Sequence, residues 1–236
     1  MIHAVSVFLR NFFRLPGIYV KFCRYAKYPD RYPEQTRWEH IGRMLKLALE
    51  AIHVDLQVSG VENIPTTGGF MLYGNHQGLF DVIAIGSTCP MPLGAVYKKE
   101  LKDTPFLKKF YTCTNSFALD REDVRQSLTV IQKVIEEVKN GRNYLIFPEG
   151  TRSKSSNTMG EFHGGSFRCA IKAKCPVIPF ALIDSFKVLD QKESGPRTVQ
   201  LHYLPPIPYE EYKTLKSVEL AALVKSRIQA AIDAHI

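Results

Sequence analysis

Beyond residue 54 the chain switches between two hydrophobic rhythms. Short apolar runs, bounded by glycine, proline, asparagine or serine, read as strands at 54–59, 69–73, 93–97, 115–119, 143–147, 177–182 and 198–204. In the first of these, Leu56 and Val58 point inward. Between the strands, apolar residues recur every three or four positions and predict helices at 79–87, 104–110, 122–139, 164–173 and 217–235. The clearest is 122–139, where Val124, Leu128, Ile131, Ile135 and Val138 make one stripe and Asn140-Gly141 supplies the stop. Pro105 suits a first helical turn, where its missing N–H costs nothing. This alternation predicts an α/β fold class: a mostly parallel central sheet flanked by helices, with no repeats.

The first 53 residues follow another pattern. They predict an N-terminal two-helix segment, 1–53, attached to an α/β domain at 54–236. His3, Arg10, Arg14 and Lys21 fall in a narrow arc of a helix, while Val5, Phe8, Leu9, Phe12, Leu15 and Tyr19 fall roughly opposite. No acid precedes Asp30. A bulky apolar side beneath a cationic one is the pattern of a helix lying in a membrane interface; a helix packed on its own domain is the alternative. Pro16-Gly17 is expected to kink or interrupt it. After a proline-bearing linker at 28–33, a second helix is expected at 34–53, with Trp38, Ile41, Leu45, Ala48, Leu49 and Ile52 on one face.

Composition narrows the partners. The 236 residues suffice for one sizeable domain, and the net charge of +8 points to an anionic partner. That partner could be a membrane surface with anionic lipid, a phosphate-bearing substrate or nucleic acid. Nucleic acid fits least, because the basic residues are spread over helices instead of flanking aromatic platforms. The five cysteines are scattered and form no Cys-x-x-Cys pair, which supports neither a disulfide framework nor a zinc site and favours a reducing compartment. The uncharged run 82–97 is sixteen residues and carries Pro90 and Pro92; a spanning helix needs about 20 apolar residues. Arg10 and Arg14 interrupt the apolar core that a cleavable signal peptide would require.

The candidate chemistry gathers where strands end, as it does in open α/β sheets. His76 follows the strand at 69–73, and Asp81 stands five residues later in the first turn of the next helix. A carboxylate so placed can accept from one ring nitrogen and leave the other free to take a proton. This is half of a hydrolase triad, yet no Gly-x-Ser-x-Gly elbow occurs and no cysteine sits in a recognisable nucleophile context. If His76 is a base, the group that it activates belongs to the substrate. Two further strand ends carry an arginine, Asp120-Arg121 and Pro148-Glu149-Gly150-Thr151-Arg152-Ser153. Arginine suits bidentate phosphate contact, and Gly150 lets backbone amides approach an anion. No spacing among His76, Asp81 and Glu149 matches a metal signature, so no metal is expected.

Four blocks, in order, resemble the glycerolipid acyltransferases. Asn75-His-Gln-Gly-Leu-Phe-Asp81 is similar to their N-H-x-x-x-x-D block, and Phe147-Pro-Glu-Gly-Thr-Arg-Ser153 to their F-P-E-G-T-R-S block. Phe117-Ala-Leu-Asp-Arg121 resembles their second block and Pro176-Val-Ile-Pro179 their fourth. The stretch Lys98-Lys-Glu-Leu101 resembles a lysine-bearing segment of the family. Two positions depart from the pattern: Asn115 or Ser116 stands where a glycine is frequent, and His163 where a lysine is.

The resemblance covers about 54–208 and is nearest to the bacterial-type 1-acyl-sn-glycerol-3-phosphate acyltransferases. It implies acyl transfer from a thioester to the sn-2 hydroxyl of 1-acyl-sn-glycerol 3-phosphate, giving phosphatidic acid in phospholipid biosynthesis. His76 would be the base and Asp81 its orienter, with no covalent acyl-enzyme. Lys98, Arg121 and Arg152 would hold the acceptor phosphate, with Glu149, Gly150 and Thr151 shaping that pocket. Lys99 is an alternative to Lys98, Glu149 could instead hydrogen-bond its own turn, and Arg121 could pair with Asp120 or Glu122. Val177, Ile178 and Pro179 would line the acyl or acceptor groove. No cofactor is implied beyond the co-substrate, acyl-acyl-carrier protein or acyl-coenzyme A. The expected location is the cytoplasmic face of the cell membrane, peripheral or monotopic. Another acceptor, glycerol 3-phosphate or a different lysophospholipid, and a non-catalytic basic membrane-binding protein are the alternatives.

Overall fold

The computed structural model describes residues 11–154, 156–191 and 197–236. Its strands are β1 (Val54–Ser59), β2 (Met71–Gly74), β3 (Leu93–Lys98), β4 (Phe117–Leu119), β5 (Asn143–Ile146), β6 (Val177–Ile183) and β7 (Arg197–Tyr203). They form one sheet in the order β1-β7-β6-β2-β5-β3-β4. Every neighbouring pair is parallel except β6 with β7. The mostly parallel α/β sheet expected from the sequence is therefore what the chain forms.

The inner strands are buried on both faces, so their side chains alternate between two cores. Met71 and Tyr73 join Tyr144, Ile146, Val177 and Ala181 in one core. That core is covered by α5 (Val124–Lys139), α6 (Arg168–Ala173) and α9 (Ser217–Asp233). Leu72 joins Leu145, Ile178, Phe180 and Leu182 in the other, covered by α2 (Glu34–Ile52) and α3 (Phe80–Thr88). Each fully buried Val, Leu, Ile, Phe or Met side chain contributes about 1.5–3 kcal/mol relative to exposure. The remaining helices are α1 (Leu15–Lys27), α4 (Pro105–Cys113), α7 (Phe186–Leu189) and α8 (Tyr209–Tyr212).

The structure adds one detail to the helix pattern and corrects one expectation. The apolar stripe of α5 is not all core. Val130, Val134, Ile135 and Val138 are buried, whereas Val124 and Leu128 are 69 % and 52 % exposed. The helix begins just after β4 ends, so its first turns stand at the carboxyl edge of the sheet and only the later turns cover it. The interruption near the N-terminus also lies elsewhere. A turn at 12–14 precedes α1, and Pro16 sits within the first turn of that helix, where no N–H is missed. The part of the amphipathic pattern at 1–10 lies outside the described residues.

Helix α1 buries one side only. Phe22 and Tyr25 pack with Ile41 of α2 and with Phe110 and Cys113 of α4. His40 donates Nε2–H to the Ile18 carbonyl at 2.9 Å, and Arg37 donates to the carbonyls of Tyr32 and Cys113. Trp38 in turn donates to the Cys89 carbonyl at 2.9 Å. The other side leaves Val20 65 % exposed and Tyr19 open to solvent, and in the turn before the helix Phe12 is exposed and Phe13 is 93 % exposed. No helix among the described residues is long and apolar enough to cross a membrane.

Candidate active site

The sheet order explains how distant segments meet. β2 lies between β5 and β6, and all three run in parallel. The segments that follow their carboxyl ends, at 75–79, 147–154 and 184–190, therefore emerge side by side. Gly74 ends β2 where a Cβ would stand 2.2 Å from the Phe180 ring, so only glycine lets the strands approach. The next residue, Asn75, continues the ladder through its side chain. Its Nδ2 donates to the Leu182 carbonyl and its Oδ1 accepts the Leu182 N–H, both at 2.8 Å.

His76 and Asp81 meet across the first turn of α3. His76 Nδ1 stands 2.6 Å from Asp81 Oδ2. A carboxylate accepts, so Nδ1 carries the proton, and in the neutral ring Nε2 holds the lone pair. Asp81 is buried. Its Oδ2 also accepts the backbone N–H groups of Gln77 and Gly78 at 2.7 and 3.1 Å, and its Oδ1 accepts the Ser185 hydroxyl. The partly exposed imidazole stacks on Phe147, with ring centroids 4.0 Å apart and planes 14° from parallel. The ring is thus fixed at one edge and one face, and Nε2 is left for a reacting group.

The turn after β5 holds this segment from the other side. Glu149 is buried, with Oε1 accepting the His76 N–H and Oε2 the Gly160 N–H, both at 2.7 Å. Ser153 and Lys154 donate their N–H groups to the carbonyls of His76 and Gln77, each at 2.9 Å. Gly150 adopts φ +69°, in the left-handed region, which turns the chain back at this point. Thr151 beside it is exposed.

The cations do not all stand alike. Arg121 lies over Gly150, where a Cβ would be 3.5 Å from its guanidinium carbon. Among the described residues no carboxylate is recorded paired with it. Arg152 pairs with Asp190 at 3.2 Å, and the same carboxylate accepts the Leu79 N–H at 2.8 Å. Lys98 pairs with Glu100 at 3.3 Å. Lys99 pairs with Asp120 at 2.6 Å; that hydrogen bond holds the carboxyl below its ordinary range and the amine above its own. Arg121 is therefore the cation of this group best placed to meet an incoming anion.

Val177, Ile178 and Pro179 require correction. They lie in β6, between β2 and β7, and all are buried, so they line no open groove. The proline follows no gap in the sheet; the run is apolar because both faces are covered. An open groove of about 340 Å³ lies instead on the Phe147 side of His76. Val96, Leu119, Val124, Leu128, Ile131 and Ile146 make it apolar, and Arg121, Gly150, His163 and Arg168 give it polar borders. The exposed start of the α5 stripe is one wall of this groove. Phe147 belongs both to the groove and to the stack on His76.

The acyltransferase family model matches residues 55–183, which include every one of these loops up to the end of β6. The chain belongs to the acyltransferase family. A 1-acyl-sn-glycerol-3-phosphate acyltransferase of Saccharomyces cerevisiae is 30 % identical over 181 residues, covering 74 % of this acyltransferase and 59 % of the yeast protein. One from Escherichia coli is 29 % identical over 166 residues, covering 70 % and 67 % respectively. A probable enzyme of the same name from Mycoplasma pneumoniae is 28 % identical, covering 72 % and 64 %. The chain thus spans roughly three-fifths of the yeast and Mycoplasma proteins. The crystal structure of a 1-acyl-sn-glycerophosphate acyltransferase from Thermotoga maritima superposes with a TM-score of 0.78 over 99 % of this chain and 96 % of that one, at 23 % identity. The shared architecture extends through the N-terminal helices of this acyltransferase.

Sequence reasoning placed His76 and Asp81 together but missed four residues that build the site. Asn75 and Phe147 stood inside quoted motifs without a role. Ser185 and Asp190 gave no signal, because their relation to His76 exists only through the pairing of β6 with β2.

Proposed function

We propose that this acyltransferase moves a fatty acyl group from a thioester to the sn-2 hydroxyl of 1-acyl-sn-glycerol 3-phosphate, forming phosphatidic acid. The observation that carries this reading is the His76–Asp81 pair stacked on Phe147, a residue that together with Arg121 lines an apolar groove. One border suits a phosphate and the groove suits an acyl chain; the acceptor has both.

In the proposed step, His76 Nε2 takes the hydroxyl proton as the oxygen attacks the thioester carbonyl. The new C–O ester bond forms, the C–S bond breaks, and the leaving sulfur receives the proton from the imidazolium. Asp81 keeps Nδ1 protonated and stabilises the transient cation. General-base help of this kind contributes about 10²- to 10⁴-fold. The nucleophile comes from the substrate, which accounts for a base without a serine or cysteine partner. Arg121 is assigned to the phosphate. Arg152, tied to Asp190, supports the segment after β2 and is a second contact only if that pair opens.

The donor is a coenzyme A or acyl-carrier-protein thioester. The membrane assignment rests on the uncovered side of α1 and the turn before it, where Phe12, Phe13 and Val20 are exposed among Arg14, Lys21 and Arg24. An apolar strip with cations beside it suits an anionic lipid surface, which supports the reading of a peripheral or monotopic enzyme on the cytoplasmic face of the cell membrane.

The test is a product assay over a small matrix. Lysophosphatidate, glycerol 3-phosphate, lysophosphatidylglycerol and monoacylglycerol are each offered with both thioester classes in anionic vesicles. Preference for lysophosphatidate supports the assignment. Equal use of monoacylglycerol would remove the role given to Arg121, and preference for glycerol 3-phosphate would replace the acceptor.

A further inference from the structure

We propose that Ser185 is a positioning residue, setting the plane of the Asp81 carboxylate so that Oδ2 faces His76. The inference rests on the general-base reading of His76.

Three donors converge on Oδ2: His76 Nδ1–H and the N–H groups of Gln77 and Gly78. All three act on one oxygen. The terminal torsion of an aspartate is broad and roughly two-fold, and a hydrogen bond at the second oxygen narrows the range of planes that the donors on Oδ2 allow. Ser185 is the residue that does this, donating its hydroxyl to Oδ1 from 104 positions away in sequence.

The hydroxyl has an obvious local alternative that it does not take. Ser185 stands at the N-cap of α7, where a serine oxygen ordinarily accepts a backbone N–H of its own helix. It makes no such bond. It is fully buried and its proton is directed to Asp81.

The surrounding chain is arranged to deliver it there. Asp184, a non-glycine residue, adopts φ +64° immediately after β6, a conformation that persists where neighbours over-determine it. Here they do. Asn157 Oδ1 accepts the Asp184 N–H at 2.9 Å, and Gln77 Oε1 accepts the Ser185 N–H at 2.8 Å. Gln77 Nε2 donates to Asn157 Oδ1 at 2.7 Å, which closes the frame. Gln77 is also a backbone donor to Asp81, so the frame and the carboxylate move as one unit.

The experiment compares wild type with Ser185→Ala, Ser185→Cys and Ser185→Thr by turnover of lysophosphatidate with oleoyl-coenzyme A and oleoyl-acyl-carrier protein. A parallel measurement follows the downfield Nδ1–H resonance of His76 in protein labelled at histidine nitrogen, which needs no substrate. The expected result is a fall in kcat of about 10-fold in Ser185→Ala and Ser185→Cys with KM unchanged, and recovery of most of it in Ser185→Thr. The resonance is expected to shift and broaden in the first two and to persist in the third. In an Asp81→Asn background, Ser185→Ala is expected to cost less than about two-fold, because the two residues act as one unit. Full kcat with an unchanged resonance in both Ser185→Ala and Ser185→Cys would overturn the proposal. A rise in KM at constant kcat would also overturn it. If wild type turns over none of the substrates, the acyl-transfer reading fails, and the resonance alone still decides the role of Ser185.

Discussion

Glu149 Oε1 accepts the backbone N–H of His76 at 2.7 Å, so the side chain of one motif holds the main chain of another. The residues are 73 positions apart and meet because β2 and β5 are parallel neighbours. A buried carboxylate with both oxygens engaged by backbone donors is poorly suited to contact a phosphate as well. Its work is to fix the height of the imidazole above the sheet.

Glu149→Gln should therefore lower kcat more than it raises acceptor KM. The amide would turn one NH₂ against a backbone N–H donor, either that of His76 or that of Gly160. Each buried group left unpaired costs about 1–3 kcal/mol. Steady-state kinetics with thermal unfolding checks this; a pure rise in KM at full stability would assign Glu149 to the substrate instead.

Arg121→Ala should raise the KM for a phosphate-bearing acceptor by about 10- to 100-fold, the worth of a hydrogen bond to a charged group. Arg121→Lys should recover part of it, since the charge remains but the fork is lost. Arg152→Ala should act differently. It frees Asp190 and loosens the segment at Leu79, so kcat should fall with a smaller change in KM.

Phe13→Ser combined with Val20→Ser should weaken sedimentation with anionic vesicles by about 10-fold or more, at about 25 cal/mol per Å² of apolar surface withdrawn from lipid. Both side chains are mostly exposed, so the melting temperature should hold. Unchanged vesicle binding would remove the membrane role from α1.

The packing of α1 on α2 should weaken in mild acid. Burial holds the His40 pKa below its ordinary value of 6.5, with the positive charges of Lys21 and Arg43 adding to this and the hydrogen bond to Ile18 opposing it. A lowered folded-state value means that, below about pH 6.5, the unfolded chain binds a proton that the folded chain resists. Stability is full above that pH and falls as pH drops through the interval between the two values. His202 acts in the same direction, through burial and the neighbouring His235. His40→Gln should flatten part of the acid slope in pH-dependent unfolding; an unchanged slope would assign it to other groups.

Much of the sheet was legible because each inner strand is a short apolar run with a clear stop. The run at 54–59 is β1 to the residue, and the strand before His76 is displaced by only one or two positions. The antiparallel pairing of β7 with β6 was not legible, since pairing direction leaves no mark on a single strand. In the site, His76 and Asp81 were legible because they lie within one turn of each other. The Val177 to Pro179 run was misassigned because an apolar strand in the core and an apolar wall of a groove have the same composition. The open groove was hidden for the converse reason: Val124 and Leu128 continue a core stripe in period, and only the place where α5 starts shows that they overhang the sheet edge.

The most direct measurement is phosphatidate formation from lysophosphatidate and an acyl thioester in anionic vesicles, comparing wild type with His76→Ala. The account predicts turnover by wild type and a loss of about 10²- to 10⁴-fold in the variant, with its fold and melting temperature kept. A His76→Ala enzyme that forms phosphatidate at the wild-type rate would contradict it.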